Sequence, residues 1–309
     1  MLGQRLWQTR SRLCRPFVRN FTIAIDGPAA SGKSSTARAV AHELGFGYID
    51  SGSIYRCATL LALRQQAKDD SPEVADLITN AHLEINILPN TRQAPQRVTG
   101  MGRLCVPDVQ VLMNGEDVSR EIRSPEVNRH VAKIASDGQV RKVVLDIQRS
   151  LAAAAKAKST GCQTKGTAAN SIPNGVVMDG REAEADSVPG GVVMDGRDIG
   201  TTVFPQAELK IYLDASAMAR AIRRWDELNS QLKETETGAS QPVYPSVEDI
   251  ARELEERDYA DINRTHSPLR IAKDAVVIDN TNMTFEQQVY SITDLARERL
   301  GLERKYDDI

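Results

Sequence analysis

One stretch near the front of the chain limits the possible folds more than any other. Phe21 to Asp26 is apolar and β-rich, Gly27 to Ser31 is small and turn-forming, and Lys33 to Leu44 has helical spacing. Across the joint, Gly27, Pro28, Ala29, Ala30, Ser31, Gly32, Lys33 and Ser34 satisfy the pattern GxxxxGK[ST], with Ser35 following. A strand that feeds such a loop and then a helix is a phosphate loop. Its glycines permit a tight backbone whose successive N–H groups face phosphate oxygens at a helix N-terminus, where the dipole favours anions. In that setting Lys33 is expected to reach the β- and γ-phosphates of ATP, and the Ser34 hydroxyl to help hold Mg²⁺.

Further short apolar runs, Val192 to Asp195, Leu209 to Leu213 and Ala275 to Asp279, are separated by helical stretches such as Ser216 to Leu232, Val247 to Ile262 and Phe285 to Leu300. Strands alternating with helices predict an α/β fold with a central parallel sheet flanked by helices. Residues 83–121 have a different texture: LEINILP and VQVLMNGEDV read as hairpin-like strands of a small inserted antiparallel sheet. Asn128 to Ala155 returns to helical spacing, and residues 156–189, rich in Ala, Gly, Ser, Thr and Asn without periodicity, read as a flexible insertion. Within that insertion GVVMDGRE at Gly175 to Glu182 is almost repeated as GVVMDGRD at Gly191 to Asp198. A parallel sheet has one slot for such a strand. The second copy is expected to fill it, because it runs on into the next strand with a normal connection, and the first to loop out at the surface.

The net charge of -3, with 26% charged and 41% hydrophobic residues, argues against a basic nucleic-acid binder. No apolar run approaches the roughly 20 residues that span a bilayer. Cys14, Cys57, Cys105 and Cys162 stand far apart without a CxxC pair, which suggests neither a zinc site nor a disulfide framework. Residues 1–20 carry Arg5, Arg10, Arg12, Arg15 and Arg19, and no acidic residue precedes Asp26. On a helical wheel Leu2, Leu6, Leu13 and Phe17 fall opposite most of these arginines, so 1–20 reads as a targeting leader of the mitochondrial type, the alternative being a basic leader without an address on a cytoplasmic protein. Residues 301–309 form a C-terminal tail.

Phosphate loops serve hydrolases, switches and kinases alike, so the rest of the chain must supply the acceptor. It supplies arginines beyond what the loop needs, and guanidinium forks pair with phosphate oxygens bidentately without deprotonating. They fall in YIDSGSIYR (Tyr48 to Arg56), NGEDVSREIRSPEV (Asn114 to Val127), DGRDIGTTVFP (Asp195 to Pro205) and ERDYADINR (Glu256 to Arg264). Together with IAIDGPAASGKSS, and in this order, these segments resemble the bacterial-type cytidylate kinases, a family of P-loop nucleoside monophosphate kinases, over about Phe21 to Leu300.

The resemblance implies a kinase domain at 21–300 that phosphorylates CMP and dCMP from Mg-ATP. It implies small-molecule partners only, no nucleic acid or membrane, and a monomer. Arg56, Arg197 and Arg264 would hold the acceptor phosphate, and Arg257 and Asp261 the sugar. Arg141 and Asp198 would read the base, a carboxylate being suited to accept from an exocyclic amino group. Ser51 and Tyr55 would line the same pocket. Arg220, Arg223 and Arg224, in a lid region at 216–264, match the family's arginines that close over ATP, and with Lys33 and Arg197 they make up the catalytic cations. The small sheet at 83–121 would be the acceptor-side subdomain.

One departure concerns the base: where the family commonly has a pyrimidine-contacting serine, this sequence places Ala132, with Ser136 close by. A kinase for UMP or another small acceptor therefore stays open, as does a nucleotide-binding regulator, although a dead site has no physical need for so many adjacent like charges.

Overall fold

The computed structural model describes residues 21–67, 72–87, 96–99, 102–159, 174–175, 190–233 and 245–302. The leader at 1–20, nearly all of the first GVVMDGR copy and most of the C-terminal tail lie outside the described residues.

In chain order the elements are β1 (Phe21–Asp26), α1 (Lys33–Leu44), β2 (Gly47–Asp50), α2 (Ser51–Arg64), α3 (Pro72–Thr79), β3 (Leu83–Ile87), β4 (Gln96–Thr99), β5 (Gly102–Cys105), β6 (Val109–Met113), β7 (Glu116–Asp117), α4 (Pro125–Ser136) and α5 (Gly138–Ser159). They continue with β8 (Asn174–Gly175), β9 (Gly191–Gly196), β10 (Leu209–Asp214), α6 (Ala217–Lys233), α7 (Val247–Asn263), β11 (Val276–Asp279) and α8 (Phe285–Leu300).

Five strands make the main sheet in the order β11-β10-β1-β9-β2, every neighbouring pair parallel. Strand β1 is buried along its whole length and β9 along all but its last residue, as a sheet covered on both faces requires. Helices α1 and α8 cover one face, where Val40, Ala41, Val289 and Ile292 are buried with Ile23 and Val193. Helices α2 and α5 cover the other, where Ile54, Ala58, Val144 and Leu151 are buried with Ala24, Val192 and Met194.

The second GVVMDGR copy is β9, paired with β1 on one side and β2 on the other, so the expected copy fills the slot. Register places Asp195 beside Ile25 and beside Asp50, so the carboxyl ends of β1, β9 and β2 open at one level. That edge is where ligands bind in open α/β sheets.

The small sheet is antiparallel across β7-β6-β3, and β8 joins β3 in parallel. Strands β4 and β5 form a separate antiparallel pair. The helical spacing read over Asn128 to Ala155 resolves into two helices broken at Asp137. Its carboxylate accepts the Gln139 and Val140 N–H groups at 2.8 and 2.9 Å and so caps α5, which runs on to Ser159. Helices α6 and α7 pack on each other around Ala221, Ile250 and Leu254. No described helix is long and apolar enough to cross a membrane.

Candidate active site

The phosphate loop leaves β1, the middle strand of the sheet, through Gly27 at φ 152°. A Cβ there would lie 2.1 Å from the Leu213 carbonyl oxygen, so only glycine lets the loop pass β10 this closely. Ala30 and Gly32 are left-handed, at φ 57° and 84°, and Gly32 is the N-cap of α1.

Lys33 is buried, and its ammonium donates to the Pro28 carbonyl and, at 3.2 Å, to Ser31 Oγ. Burial, reinforced by the like charge of Arg197, holds its pKa well below the ordinary lysine value. Ser34 Oγ donates to Asp195 Oδ2 at 2.7 Å, while Tyr48 donates to the other Asp195 oxygen at 2.8 Å. Burial, followed by neighbouring Asp50, raises Asp195 to about 6. These are hard oxygen ligands of the kind Mg²⁺ takes, one hydroxyl and one carboxylate, and no cluster of three or more His, Cys, Asp or Glu residues suited to a metal occurs among the described residues. The donor set therefore fits a cation held mainly by nucleotide phosphates and water.

A cleft of about 810 Å³ opens from Ser34 across the carboxyl edge of the sheet. All nine residues expected to bind the acceptor line it: Ser51, Tyr55, Arg56, Arg141, Arg197, Asp198, Arg257, Asp261 and Arg264.

Helix α5 and the turn after β9 build one wall. Arg141 Nη2 meets Asp198 Oδ2 at 2.6 Å, its Nη1 donates to the Ala135 carbonyl at 2.9 Å, and its guanidinium lies 5.4 Å from the Tyr55 ring centre. Its Nε is buried and meets no acceptor among the described residues. Burial pushes the Tyr55 hydroxyl up to about 12, so it stays protonated. Two turns along α5, buried Gln148 donates to Ser51 Oγ at 2.9 Å.

Helix α7 and its C-cap bring Asp261 and Arg264 to the cleft. Arg197 Nε donates to Asp261 Oδ2 at 2.8 Å. Arg264 lies 3.6 Å from Asp198 and donates from Nε to the Ser267 carbonyl at 2.7 Å. Arg56 donates to Asn128 and to the Ile122 carbonyl, and burial lowers the pKa of both Arg56 and Arg264. Ala132 and Ser136 both line the cleft, and the Ser136 hydroxyl donates to the Lys133 carbonyl at 2.6 Å.

The three arginines expected in a lid do not line this cleft. Buried Arg220 donates to the carbonyls of Ala215 and Ala29 at 3.0 and 2.7 Å and to Asp258 at 2.6 Å. Arg223 donates to Asn280 Oδ1 and to the Asn280 carbonyl at 2.9 and 2.6 Å, and Arg224 pairs with Glu227 on the surface.

Several site residues went unread in the sequence. Asp195 could have been found, since an apolar run ending in Asp beside a phosphate-loop strand is the usual source of the second Mg²⁺ ligand. Arg38 also lines the cleft and nothing in its spacing marks it out, whereas Arg120 and Arg123 line it from the NGEDVSREIRSPEV segment and Asp50 from YIDSGSIYR.

A phosphate loop at the middle of a parallel sheet, opening on a cleft ringed by arginines, defines a P-loop phosphotransferase whose second substrate also carries phosphate. The cytidylate kinase family profile matches residues 23–161 and 170–298. A cytidylate kinase of Pelodictyon phaeoclathratiforme is 38% identical over 284 residues, covering 91% of this chain and 96% of that one. Those of Chlorobaculum tepidum and a Geobacillus strain are 36% and 35% identical over 280 and 284 residues, covering 89% and 91% of this chain and 92% and 99% of theirs. The chain belongs to the cytidylate kinase family.

Proposed function

We propose that the chain is a cytidylate kinase that moves the γ-phosphate of ATP to CMP and dCMP, giving ADP with CDP or dCDP. The observation that carries the acceptor is the buried pair of Arg141 and Asp198. Asp198 offers a carboxylate that only accepts, and Arg141, which only donates, lines the same cleft. Cytosine answers both, its exocyclic amine donating to Asp198 and a ring acceptor receiving from Arg141. Uracil presents an oxygen where the amine would be, and oxygen against carboxylate is repulsive.

In this reading Arg56, Arg197 and Arg264 hold the acceptor phosphate, while Arg257 and Asp261 hold the sugar. An anionic oxygen of the acceptor phosphate attacks the γ-phosphorus in line, a new P–O bond forms, and the bond to the β-phosphate oxygen breaks as ADP leaves. The attacking oxygen is already charged, so no general base is needed. The work of the protein is alignment and charge neutralisation. Lys33 turns from its Pro28 carbonyl to the β- and γ-phosphates when ATP is bound, and Ser34 with Asp195 would hold Mg²⁺. When bound, the ion offsets the negative charge on those phosphates. The leader at 1–20 serves in this proposal as a mitochondrial address, which fusion of those residues to a fluorescent reporter tests by where the reporter goes.

Incubation of the purified chain with Mg-ATP and CMP should yield ADP and CDP in equal amounts by ion-exchange chromatography. ADP without CDP would make the chain a hydrolase and overturn the proposal.

A further inference from the structure

The phosphate loop must present N–H groups to its ligand, and a trans peptide puts its N–H and C=O on opposite sides. Whatever holds the loop carbonyls outward therefore decides which N–H groups face inward, and the structure gives a partner for each of three carbonyls. The Pro28 carbonyl receives Lys33, whose ammonium travels with its own helix. The Ala29 carbonyl receives Arg220 from α6 at 2.7 Å. The Ser31 carbonyl receives Asn280 Nδ2 at 2.8 Å, from the turn after β11. The last two partners come from outside the loop and its helix.

Each outside partner is itself fixed. Asp258 of α7 accepts Arg220 at 2.6 Å through one oxygen and the Ala29 N–H at 2.8 Å through the other, so Arg220 and Asp258 grip both ends of one loop residue. Asn280 is fully buried, and its amide donates to Gln288 as well as to Ser31. Its side-chain oxygen and its backbone carbonyl both accept from the fork of Arg223. Arg223 can only donate and the Ser31 carbonyl can only accept, so the orientation of the Asn280 amide follows from its neighbours.

We infer that Arg220 with Asp258, and Arg223 with Asn280, are positioning residues that hold the Ala29 and Ser31 carbonyls outward, and so aim the Ala30 and Gly32 N–H groups at the phosphates of ATP. Two of the arginines assigned by resemblance to the moving lid thereby act through the loop backbone. The inference rests on the ATP half of the proposed function and is independent of the acceptor's identity.

Binding of a non-hydrolysable ATP analogue, measured by calorimetry on the full chain, tests it. Asn280→Ala leaves the Ser31 carbonyl without its donor, and affinity for the analogue should fall about tenfold. The KM for CMP at saturating ATP should stay within about twofold, a split that general loosening of the fold would not produce. Asn280→Asp, nearly the same volume, keeps an acceptor for Arg223 but loses the donor to Ser31, and should show the same loss with thermal unfolding reporting that the chain is folded. Arg223→Ala should resemble Asn280→Ala, and the double variant should bind no worse than the weaker single variant, because both act through one carbonyl. Analogue affinity unchanged in folded Asn280→Asp, or Arg223→Ala lowering kcat with affinity intact, would overturn the inference. Failure of the wild-type chain to phosphorylate CMP would instead overturn the acceptor reading and leave these binding measurements standing.

Discussion

Arg141 and Asp198 meet at 2.6 Å with their side chains only 6% and 7% exposed, joining the fourth residue of α5 to the turn after β9. Neither could be buried alone, since an unpaired charge in such a setting costs several kcal/mol. The pair is thus a joint between two elements and, in the proposed function, the group that faces the base. Asp198→Asn should lower kcat/KM for CMP by at least about tenfold, narrow the preference for CMP over UMP, and destabilise the free protein by roughly 3 kcal/mol. Steady-state kinetics with both acceptors and urea unfolding check the three effects.

The two GVVMDGR copies give a sharp internal control. Arg197, after β9, lines the cleft and pairs with Asp261. Arg197→Ala should cut kcat/KM for the acceptor by about a hundredfold or more, the scale of losing a charged contact made in the transition state. Arg181→Ala, at the matching place in the first copy, should leave it within about twofold of wild type. The same assay reads both variants.

At the donor end, Lys33→Ala should reduce kcat by about a hundredfold or more, as loss of a transition-state cation does. Asp195→Asn keeps the hydrogen bond from Tyr48 but replaces an anionic ligand by a neutral one, and should raise the Mg²⁺ concentration for half-maximal rate by about tenfold. Titrating Mg²⁺ at fixed ATP measures it.

Asp26 ties β1 to the turn after β9. Its two oxygens accept the Ile199 and Gly200 N–H groups at 2.8 and 2.7 Å, and burial outweighs these bonds to raise its pKa from 3.8 to about 6. The folded state thus binds this proton more tightly than the unfolded chain, so the contribution is fully present below pH 3.8 and is lost as pH rises through about 6. Relative to Asp26→Asn, which cannot titrate, the wild type should lose about 1–1.5 kcal/mol of stability between about pH 5 and 7.5. Urea unfolding of both proteins across that range gives the difference.

Much of this was legible in the sequence for local reasons. The phosphate loop is continuous in sequence, and β1, β10 and α8 carry their periodicity within themselves. The choice of the second GVVMDGR copy followed from the length of its connection to β10. What was not legible depends on residues far apart in the chain. Arg220 looks like a surface cation of a basic helix until Asp258 and the Ala29 carbonyl, from elsewhere in the chain, are placed against it. Asn280 has no motif at all, and its meaning is set by the peptide it faces. The break between α4 and α5 was hidden because apolar spacing continues on both sides of Asp137, where only the cap marks the end. Strand β8, two residues long, has no period to read.

With Arg141 and Asp198 reading the base as proposed, this cleft selects a cytosine nucleotide as the phosphate acceptor. The most direct test is a comparison of kcat/KM for CMP, dCMP, UMP and AMP with Mg-ATP, by coupled ADP release from the wild-type chain. CMP and dCMP should turn over, with UMP at least about tenfold poorer, because its O4 would face the Asp198 carboxylate. Equal efficiency with UMP, or turnover of AMP in preference to CMP, would contradict the role given to Arg141 and Asp198.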